Sequence, residues 1–222
     1  MTGSVRTLIV DDDMLTRAGL AAILGSDDGI EVVGQAATAT DGVTLAWELN
    51  PDVVLMDVRL PDLDGIEATK HILHNAADPN LRVVILTTFE YDEYLLRAIE
   101  AGASGFLLKR MRAEEIIEGV KAVAEGTALP APDAMRRLVT TFADQRPASA
   151  GQDLRQMLTK REVDVLKLMA RGLSNQEIAT ELAVSIETVR THVKHIYWKC
   201  GARDRVQAVI AAFERGIAVW DT

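Results

Sequence analysis

The sequence predicts an α/β domain built on a five-stranded, doubly wound parallel sheet, followed by a small all-α domain. Apolar segments rich in β-branched residues alternate with amphipathic segments over Thr7–Ala124, as in βα repeats around a parallel sheet. A proline-containing connector then spans Gly126–Met157, and several short helical patterns follow it. We therefore expect one domain over residues 1–126, a linker with a helix over 127–156, and a second domain over 157–222.

The predicted sheet has five strands, each followed by a helix. The strands are Thr7–Val10, Val32–Gln35, Val53–Met56, Val83–Leu86 and Gly105–Leu108. The helices are Met14–Leu24, Ala39–Leu49, Gly65–Ala76, Asp92–Ala101 and Ala113–Glu125. The first, third and fourth strands are apolar enough to be buried on both faces. Because a doubly wound sheet binds ligands beyond the carboxyl ends of its strands, the residues that follow each strand are candidates for a site.

The second domain is expected to consist of four helices. An apolar pattern suggests one further helix inside the connector, at Met135, Leu138, Val139 and Phe142. Two helices of the domain open with capping boxes, which pair Thr159 with Glu162 and Ser174 with Glu177. After the short turn Ala183–Val184, Ser185 caps a third helix, and the last helix covers about Arg205–Arg215.

Composition and charge exclude several classes of protein. No apolar stretch approaches the roughly 20 residues that span a bilayer, and no signal sequence opens the chain, so we expect a cytoplasmic protein. The single Cys200 cannot form an intrachain disulfide or a cysteine-rich metal site, and we expect a small buried hydrophobe. The net charge of −9 divides unevenly, because residues 1–126 hold 10 Lys and Arg against 22 Asp and Glu, and residues 127–222 hold 14 against 11. The positive balance of the second part does not by itself prove DNA binding, so the placement of the charges must decide.

Polar residues that follow the predicted strands form a candidate site. These residues are Asp11, Asp12 and Asp13 after the first strand, Asp57 after the third, Thr87 after the fourth and Lys109 after the fifth. Carboxylates that converge on one sheet edge repel one another unless a cation lies among them, and oxygen ligands suit Mg²⁺. An aspartate beside Mg²⁺ can attack a phosphoryl group while an ammonium and a hydroxyl neutralise the phosphoryl oxygens. Lys109 and Thr87 fit these last two roles.

Residues 5–125 resemble the receiver domain of two-component response regulators, which has a flavodoxin-like fold. The resemblance rests on the segments LIVDDD, DVVLMDVRLPDLDGIEA, VVILTTFEYDEY and ASGFLLKR. It implies that Asp57 accepts a phosphoryl group from a sensor histidine kinase. The implied ligands of Mg²⁺ are Asp11, Asp12, Asp57 and the backbone carbonyl of Arg59. Thr87 and Phe106 are implied to move as a pair on phosphorylation, although ordinary core packing is the alternative for Phe106.

Two positions depart from the receiver pattern. This group often has a histidine after the aspartate pair, where this chain has Asp13, which either adds negative charge near the site or caps the first helix. Many receivers have proline after the lysine, where this chain has Arg110, so no cis-proline is expected there. Since the aspartates, the threonine and the lysine remain, we still expect phosphorylation.

The helix capped by Ser185 divides into an apolar stripe and a polar face. The stripe consists of Val189, Val193, Ile196 and Cys200. The opposite face consists of Arg190, Thr191, Lys194 and Trp198, with His195 and Tyr197 beside it. Such side chains can donate to guanine edges, contact thymine methyls and reach phosphates when a helix lies in the major groove. The alternative is a solvated face on an ordinary helix.

A segment of the second domain resembles the LuxR-type helix-turn-helix, and the two domains together are similar to the NarL/FixJ group of regulators. The segment is LTKREVDVLKLMARGLSNQEIATELAVSIETVRTHVKHIYWKCGARDR. The resemblance implies base contacts from Arg190, Thr191 and Lys194, and contacts at phosphates or the groove rim from Asn175, His192, Lys199 and Arg203. His192 is equally compatible with a partly buried structural role. Tyr197 and Trp198 either extend the DNA face or pack between domains or subunits.

The last helix is implied to form a dimer on DNA. Its apolar residues, Val206, Val209, Ile210 and Phe213, recur at helical spacing, while its alanines leave a small-residue face. In related proteins this helix pairs with its copy, so a homodimer is expected on activation. The hypothesis is that the unphosphorylated receiver hinders the DNA-binding helix or dimerisation, and that phosphorylation releases it through the linker.

Three other functions compete with this one. An aspartyl phosphatase would present Asp-x-Asp after its nucleophile, but Asp57 is followed by Val58 and Arg59, so we expect no enzyme beyond the receiver's own phosphoryl transfer and dephosphorylation. A dinucleotide-binding domain would have Gly-x-Gly-x-x-Gly after the first strand, which the sequence lacks. An atypical regulator, whose receiver only dimerises or binds a small molecule, would not need the intact acidic pocket.

Overall fold

A computed structural model of the chain describes residues 3–75, 78, 80–88, 92–127, 154 and 157–218, with the side chains at 92, 93 and 96 left out. The chain divides into two compact units, Met1–Gly126 and Thr127–Thr222. The helix expected inside the connector falls outside the described residues. Within the described part of the chain, no helix has the length and apolar character needed to cross a membrane.

The first unit contains a five-stranded, all-parallel sheet, which confirms the predicted fold class. Its strands are β1 (Val5–Val10), β2 (Ile30–Ala36), β3 (Val53–Asp57), β4 (Arg82–Thr87) and β5 (Gly105–Leu108). Their order across the sheet is β2-β1-β3-β4-β5. β1 and β2 extend further than predicted because their first residues pair through the backbone although Arg6 and Glu31 are charged. The reversal of strand order beside β1 places the ends of β1 and β3 next to each other.

In the described part of this unit, four helices connect the strands and a fifth follows β5. They are α1 (Met14–Leu24), α2 (Ala39–Leu49), α3 (Gly65–His74), α4 (Asp92–Glu100) and α5 (Ala113–Ala124). The first two have the predicted bounds, and the other three end one or two residues early. α1 contacts α5, whereas α2 contacts α3. Every residue of β3 and β4 is buried, as predicted for strands covered on both faces.

The described part of the second unit after the connector contains four helices. They are α6 (Lys160–Ala170), α7 (Asn175–Glu181), α8 (Ile186–Cys200) and α9 (Arg205–Glu214). Both predicted capping boxes are present, at the starts of α6 and α7, and the Ser185 hydroxyl accepts a hydrogen bond from the Thr188 amide at the start of α8. The turn between α7 and α8 includes Ala183 at a φ of 51°, in the left-handed region. This pair of helices and its tight turn form the predicted helix-turn-helix.

Candidate functional site

The ends of β1 and β3 bring three carboxylates together. Asp11 follows β1 and Asp57 is the last residue of β3, and both are buried, whereas Asp12 is exposed. One carboxylate oxygen from each of the three lies within 4.8 Å of those of the other two. This spacing and the oxygen donors fit a single divalent cation such as Mg²⁺.

Lys109, which directly follows the edge strand β5, lies against this acidic cluster. Its Nζ atom is 2.6 Å from Asp11 Oδ2 and 3.1 Å from Asp57 Oδ2. Its backbone N–H donates to the carbonyl oxygen of Thr87, at 2.8 Å, which joins the ends of β4 and β5. Lys109 therefore reaches both buried carboxylates from a backbone position fixed by the sheet.

Burial and charge oppose each other in this pocket. Burial and the nearby Asp11 raise the pKa of the Asp57 carboxyl above its ordinary value, although the Lys109 ammonium acts in the opposite direction. Burial lowers the pKa of Lys109, but the carboxylates of Asp11 and Asp57 outweigh that effect and the net pKa is raised. Since one ammonium faces two buried carboxylates and the exposed Asp12, the pocket keeps negative charge that a cation would neutralise.

The two residues implied to move on phosphorylation lie on adjacent strands. Thr87 is the last residue of β4 and is buried. Phe106 on β5 is the register partner of Ile85 and is partly buried against the core between the sheet and the helices α2 and α3. Phe106 therefore packs in the core here, and its movement stays a prediction.

Gly65 is a residue of the pocket that the sequence analysis treated only as the start of a helix. Its N–H donates to the carbonyl oxygen of Val58, at 2.9 Å. A Cβ atom at this position would lie 1.8 Å from the carbonyl oxygen of Asp57, which is far inside van der Waals contact. Only glycine fits this approach of α3 to the backbone of Asp57, and a DG dipeptide in the sequence does not reveal such an approach.

Two aspartates near the pocket cap helices, and one of them also contacts a neighbouring helix. The Asp13 carboxylate accepts from the Leu15 N–H at 2.8 Å, which confirms the capping role and lowers the pKa of Asp13. Asp64 caps α3 and accepts from Arg97 Nη2 on α4 at 2.8 Å. Arg59 follows the pocket in an exposed loop, and the metal contact of its carbonyl stays a prediction.

The exposed face of α8 carries the residues expected to contact bases. The apolar stripe from Val189 to Cys200 is buried as predicted, and Cys200 is a buried free thiol. Arg190, Thr191 and Lys194 are all exposed on the opposite face. Arg190 Nη1 lies 2.6 Å from Glu187 Oε1, and the Thr191 hydroxyl donates to the Glu187 carbonyl at 2.9 Å. Both contacts are made within α8, so neither connects this face to the rest of the unit.

Two residues expected at phosphates make contacts inside the second unit. The Lys199 ammonium lies 2.7 Å from Oε2 of the buried Glu162, and Asn175 Oδ1 accepts from Arg205 Nη1 at 3.1 Å. Burial raises the pKa of Glu162, but the bonds from Lys199 and from the Thr159 N–H outweigh it, so the net pKa is lowered. His192 and Arg203 are partly buried. DNA contacts from these four residues therefore stay predictions.

Arg205 is a further residue that the sequence analysis missed. It is the first residue of α9, it is 1% exposed, and it donates to the Leu173 carbonyl as well as to Asn175. Burial lowers the pKa of its guanidinium to about 10. Arg205 thus joins the start of α9 to the segment that opens α7.

The alanines of α9 do not leave the small-residue face that the sequence analysis expected. Ala208, Ala211 and Ala212 are all buried, as are Val206 and Phe213. Spacing along a helix shows which residues share a face, but not how many faces are covered. Any surface that α9 offers to a second copy must therefore use other residues.

Two comparisons with protein families agree with this geometry. Residues 7–121 match the response regulator receiver domain, and residues 156–212 match the bacterial regulatory proteins of the luxR family. The chain belongs to the response regulators. As a response regulator with a luxR-type domain, it is a transcription regulator rather than a conventional enzyme.

Two relatives and one solved structure align with nearly the whole chain. It is 40% identical over 213 residues to the uncharacterized transcriptional regulatory protein YxjL of Bacillus subtilis, with 96% of this chain and 97% of that protein covered. It is 37% identical to the response regulator protein VraR of Staphylococcus epidermidis, with 96% and 99% covered. The crystal structure of the response regulator ChrA, from a heme-sensing two-component system, has 36% identity, a TM-score of 0.51, and 97% and 99% coverage.

Proposed function

We propose that a sensor histidine kinase phosphorylates Asp57 and that this phosphorylation controls DNA binding by α8. The observation that carries the proposal is the contact of Lys109 with both Asp11 and Asp57 at the carboxyl edge of the sheet. A nucleophilic carboxylate, a cation beside it and a buried hydroxyl on Thr87 are the groups that phosphoryl transfer requires.

The proposed reaction transfers a phosphoryl group from a phosphohistidine to Asp57. A carboxylate oxygen of Asp57 attacks phosphorus, a new O–P bond forms, and the P–N bond to the kinase imidazole breaks. The imidazole leaves with the bonding electron pair and takes up a proton. Lys109 then neutralises negative charge on the transferred group, and the Thr87 hydroxyl donates to one of its oxygens.

Mg²⁺ fits the donor set of the pocket. Asp11, Asp12 and Asp57 would hold it, and the proposal adds the backbone carbonyl of Arg59 as a fourth protein ligand. When bound, Mg²⁺ supplies positive charge that offsets the repulsion between the carboxylates and the incoming phosphoryl group. The side chain of Lys109 supplies the remaining charge compensation on the β5 side.

The proposed signal passes through Thr87 and Phe106. A hydrogen bond from Thr87 to the phosphoryl group would draw the end of β4 toward Asp57 and leave room for the Phe106 ring to turn inward. The surface formed by α4, β5 and α5 would change with that movement. Through the linker, this change would favour a homodimer and release α8 for DNA.

The proposed DNA contacts follow the exposure of α8. Arg190, Thr191 and Lys194 would contact base edges in the major groove, since they are exposed on one face. Four further side chains would contact phosphates or the rim of the groove: Asn175, His192, Lys199 and Arg203. The proposed nucleic-acid partner is thus a double-stranded DNA operator. The proposed location of the protein is the cytoplasm, together with the phosphodonor domain of the kinase.

Transfer from a small-molecule phosphodonor tests the first half of the proposal. The purified chain is incubated with Mg²⁺ and acetyl phosphate, and its intact mass is measured. Wild type is expected to gain one phosphoryl group, and Asp57→Asn none. Asp13→Asn is the matched control, because asparagine keeps the helix cap while one nearby carboxylate is lost. Phosphorylation of the Asp57→Asn protein to the wild-type extent would contradict the proposal.

A further inference from the structure

Trp198 is the most exposed large hydrophobic side chain in the described part of the chain. It lies on α8 and is 81% exposed. Single apolar residues at a surface are common, so exposure alone assigns no role. The position of Trp198 on its helix is more informative.

Trp198 shares the exposed face of α8 with the proposed base contacts. It follows Lys194 by four residues and Thr191 by seven, and residues at these spacings lie on one side of a helix. A helix rises about 1.5 Å per residue, so Trp198 lies about 6 Å beyond Lys194 along the axis. Since recognition helices contact bases mainly with their first residues, this distance takes Trp198 toward the rim of the groove.

The charges on α8 favour a polyanion over a second copy of the same surface. Lys194 is exposed on this face, and the only acidic residue of α8, Glu187, is paired with Arg190 near the start of the helix. Two copies of this face would bring like charges together, whereas a phosphate backbone is complementary to it.

The indole ring has the chemistry that the edge of a duplex offers. It presents a flat apolar surface and one N–H donor with no acceptor. Deoxyribose carbons and thymine methyls are apolar, and the adjoining phosphate oxygens accept hydrogen bonds. We propose that Trp198 is a DNA-contact residue that packs on the sugar edge of the major groove and donates its Nε1–H to a phosphate oxygen. This inference rests on the proposed function, because it requires α8 to lie in the groove.

Substitution of Trp198 tests the contact with the full-length chain. Duplexes are first obtained by random-site selection with wild type in Mg²⁺ and beryllofluoride. Trp198→Ala is expected to bind the selected duplex about tenfold more weakly than wild type, a change of about 1.4 kcal/mol. Trp198→Phe, which keeps an apolar ring but loses the donor, should fall between the two. Because no charge is removed, the slope of log K against log salt should stay as in wild type.

The matched controls separate a DNA contact from a structural effect. Trp47 on α2 is 44% exposed in the first unit, and Trp47→Phe should bind DNA as wild type does. Thermal unfolding of Trp198→Ala should also match wild type, since the ring buries little area within the chain. A variant with Trp47→Phe and Trp220→Phe leaves Trp198 as the only tryptophan. Its fluorescence should change on addition of duplex, with saturation at the measured Kd.

Each outcome distinguishes this inference from the proposed function. Unchanged affinity in Trp198→Ala overturns the inference and leaves the proposed function standing. A second outcome also overturns the inference alone: Trp198→Ala no longer self-associates in sedimentation, while its monomer binds a half-site duplex as wild type does. Trp198 would then contact a second copy of the chain and not DNA. If wild type enriches no duplex with or without beryllofluoride, the proposed function fails and the inference fails with it.

Discussion

The acidic pocket and the exposed face of α8 organise their charges in opposite ways. In the pocket, Lys109 lies within 3.1 Å of two buried carboxylates, and the ends of three strands set these positions. On α8, the exposed Arg190 and Thr191 contact Glu187 of their own helix. The pocket is therefore arranged before its ligand arrives, whereas the proposed DNA contacts acquire intermolecular partners only on binding.

This difference has a physical consequence for substitutions. A change in the pocket alters the pKa of its neighbours and the packing of the sheet edge, because the groups are buried and close together. A change on α8 removes a solvated side chain, which has little effect on stability and acts only in the complex.

Gly65→Ala is expected to have the largest effect. Its Cβ atom would collide with the Asp57 carbonyl, so either α3 or the end of β3 must move. We expect a loss of about 3 kcal/mol in the free energy of unfolding and slow phosphorylation by acetyl phosphate. Gly19→Ala is the control, because nothing lies within 4 Å of its Cβ position on α1. Equal stability of the two variants would contradict the close approach.

Lys109→Met should slow phosphorylation strongly while keeping the fold. Loss of one group that stabilises the transferred phosphoryl oxygens costs about 100-fold in rate. Lys109 also lowers the pKa of Asp57, so the pKa of this carboxyl should rise further in the variant. Only the ionised carboxylate of Asp57 is nucleophilic, so the phosphorylation rate falls as this group is protonated. In the variant, this fall should occur at a higher pH than in wild type.

Lys121→Met is the control for that prediction. Lys121 forms a partly exposed ion pair with Asp27, away from the pocket, at 2.6 Å. Its loss should change stability by less than about 1 kcal/mol and leave the phosphorylation rate and its pH profile unchanged. A wild-type profile in Lys109→Met would show that Lys109 has no role in the chemistry.

Lys194→Ala should weaken DNA binding about tenfold without changing stability. Its side chain is exposed, so the free energy of unfolding should match that of wild type. If Lys194 contacts a base, the slope of log K against log salt should be nearly the same in the variant as in wild type. If Lys194 contacts a phosphate, that slope should decrease in magnitude by about one unit. Lys167→Ala, an exposed lysine on α6, provides the control in a filter-binding titration.

Glu162→Gln should reduce the free energy of unfolding by about 1 kcal/mol at neutral pH. The pKa of Glu162 is lowered from its ordinary 4.5, so the ionised carboxylate stabilises the folded state above that pH. As the pH falls through the lowered pKa, wild type loses this stabilisation and the difference between the two proteins should disappear. Urea unfolding from pH 7 to pH 3 measures the difference in free energy of unfolding between the two proteins. A difference that stays constant over this pH range would contradict the role given to Glu162.

The pocket was largely predictable because the sequence shows both the apolar strands along the chain and the polar residues that follow them. Asp11, Asp57, Thr87 and Lys109 each follow or end an apolar strand, and a parallel sheet brings such ends together. Gly65 was not predictable, since its role depends on a backbone approach and not on residue type. Glu162 was assigned only as part of a capping box, because its second partner Lys199 lies 37 residues away.

The helix-turn-helix shows the same division. Caps and the buried stripe of α8 depend on residues three or four positions apart, so local spacing predicted them. The covered alanines of α9 and the contact of Arg205 with Asn175 depend on how helices pack, which spacing does not specify.

Phosphorylation control of DNA binding is tested most directly by the affinity for a selected duplex with and without beryllofluoride, in Mg²⁺, for wild type and Asp57→Asn. Beryllofluoride is expected to tighten DNA binding by wild type and to leave the affinity of Asp57→Asn unchanged. Equal, tight binding in all four samples would contradict it and indicate a regulator that acts without phosphate.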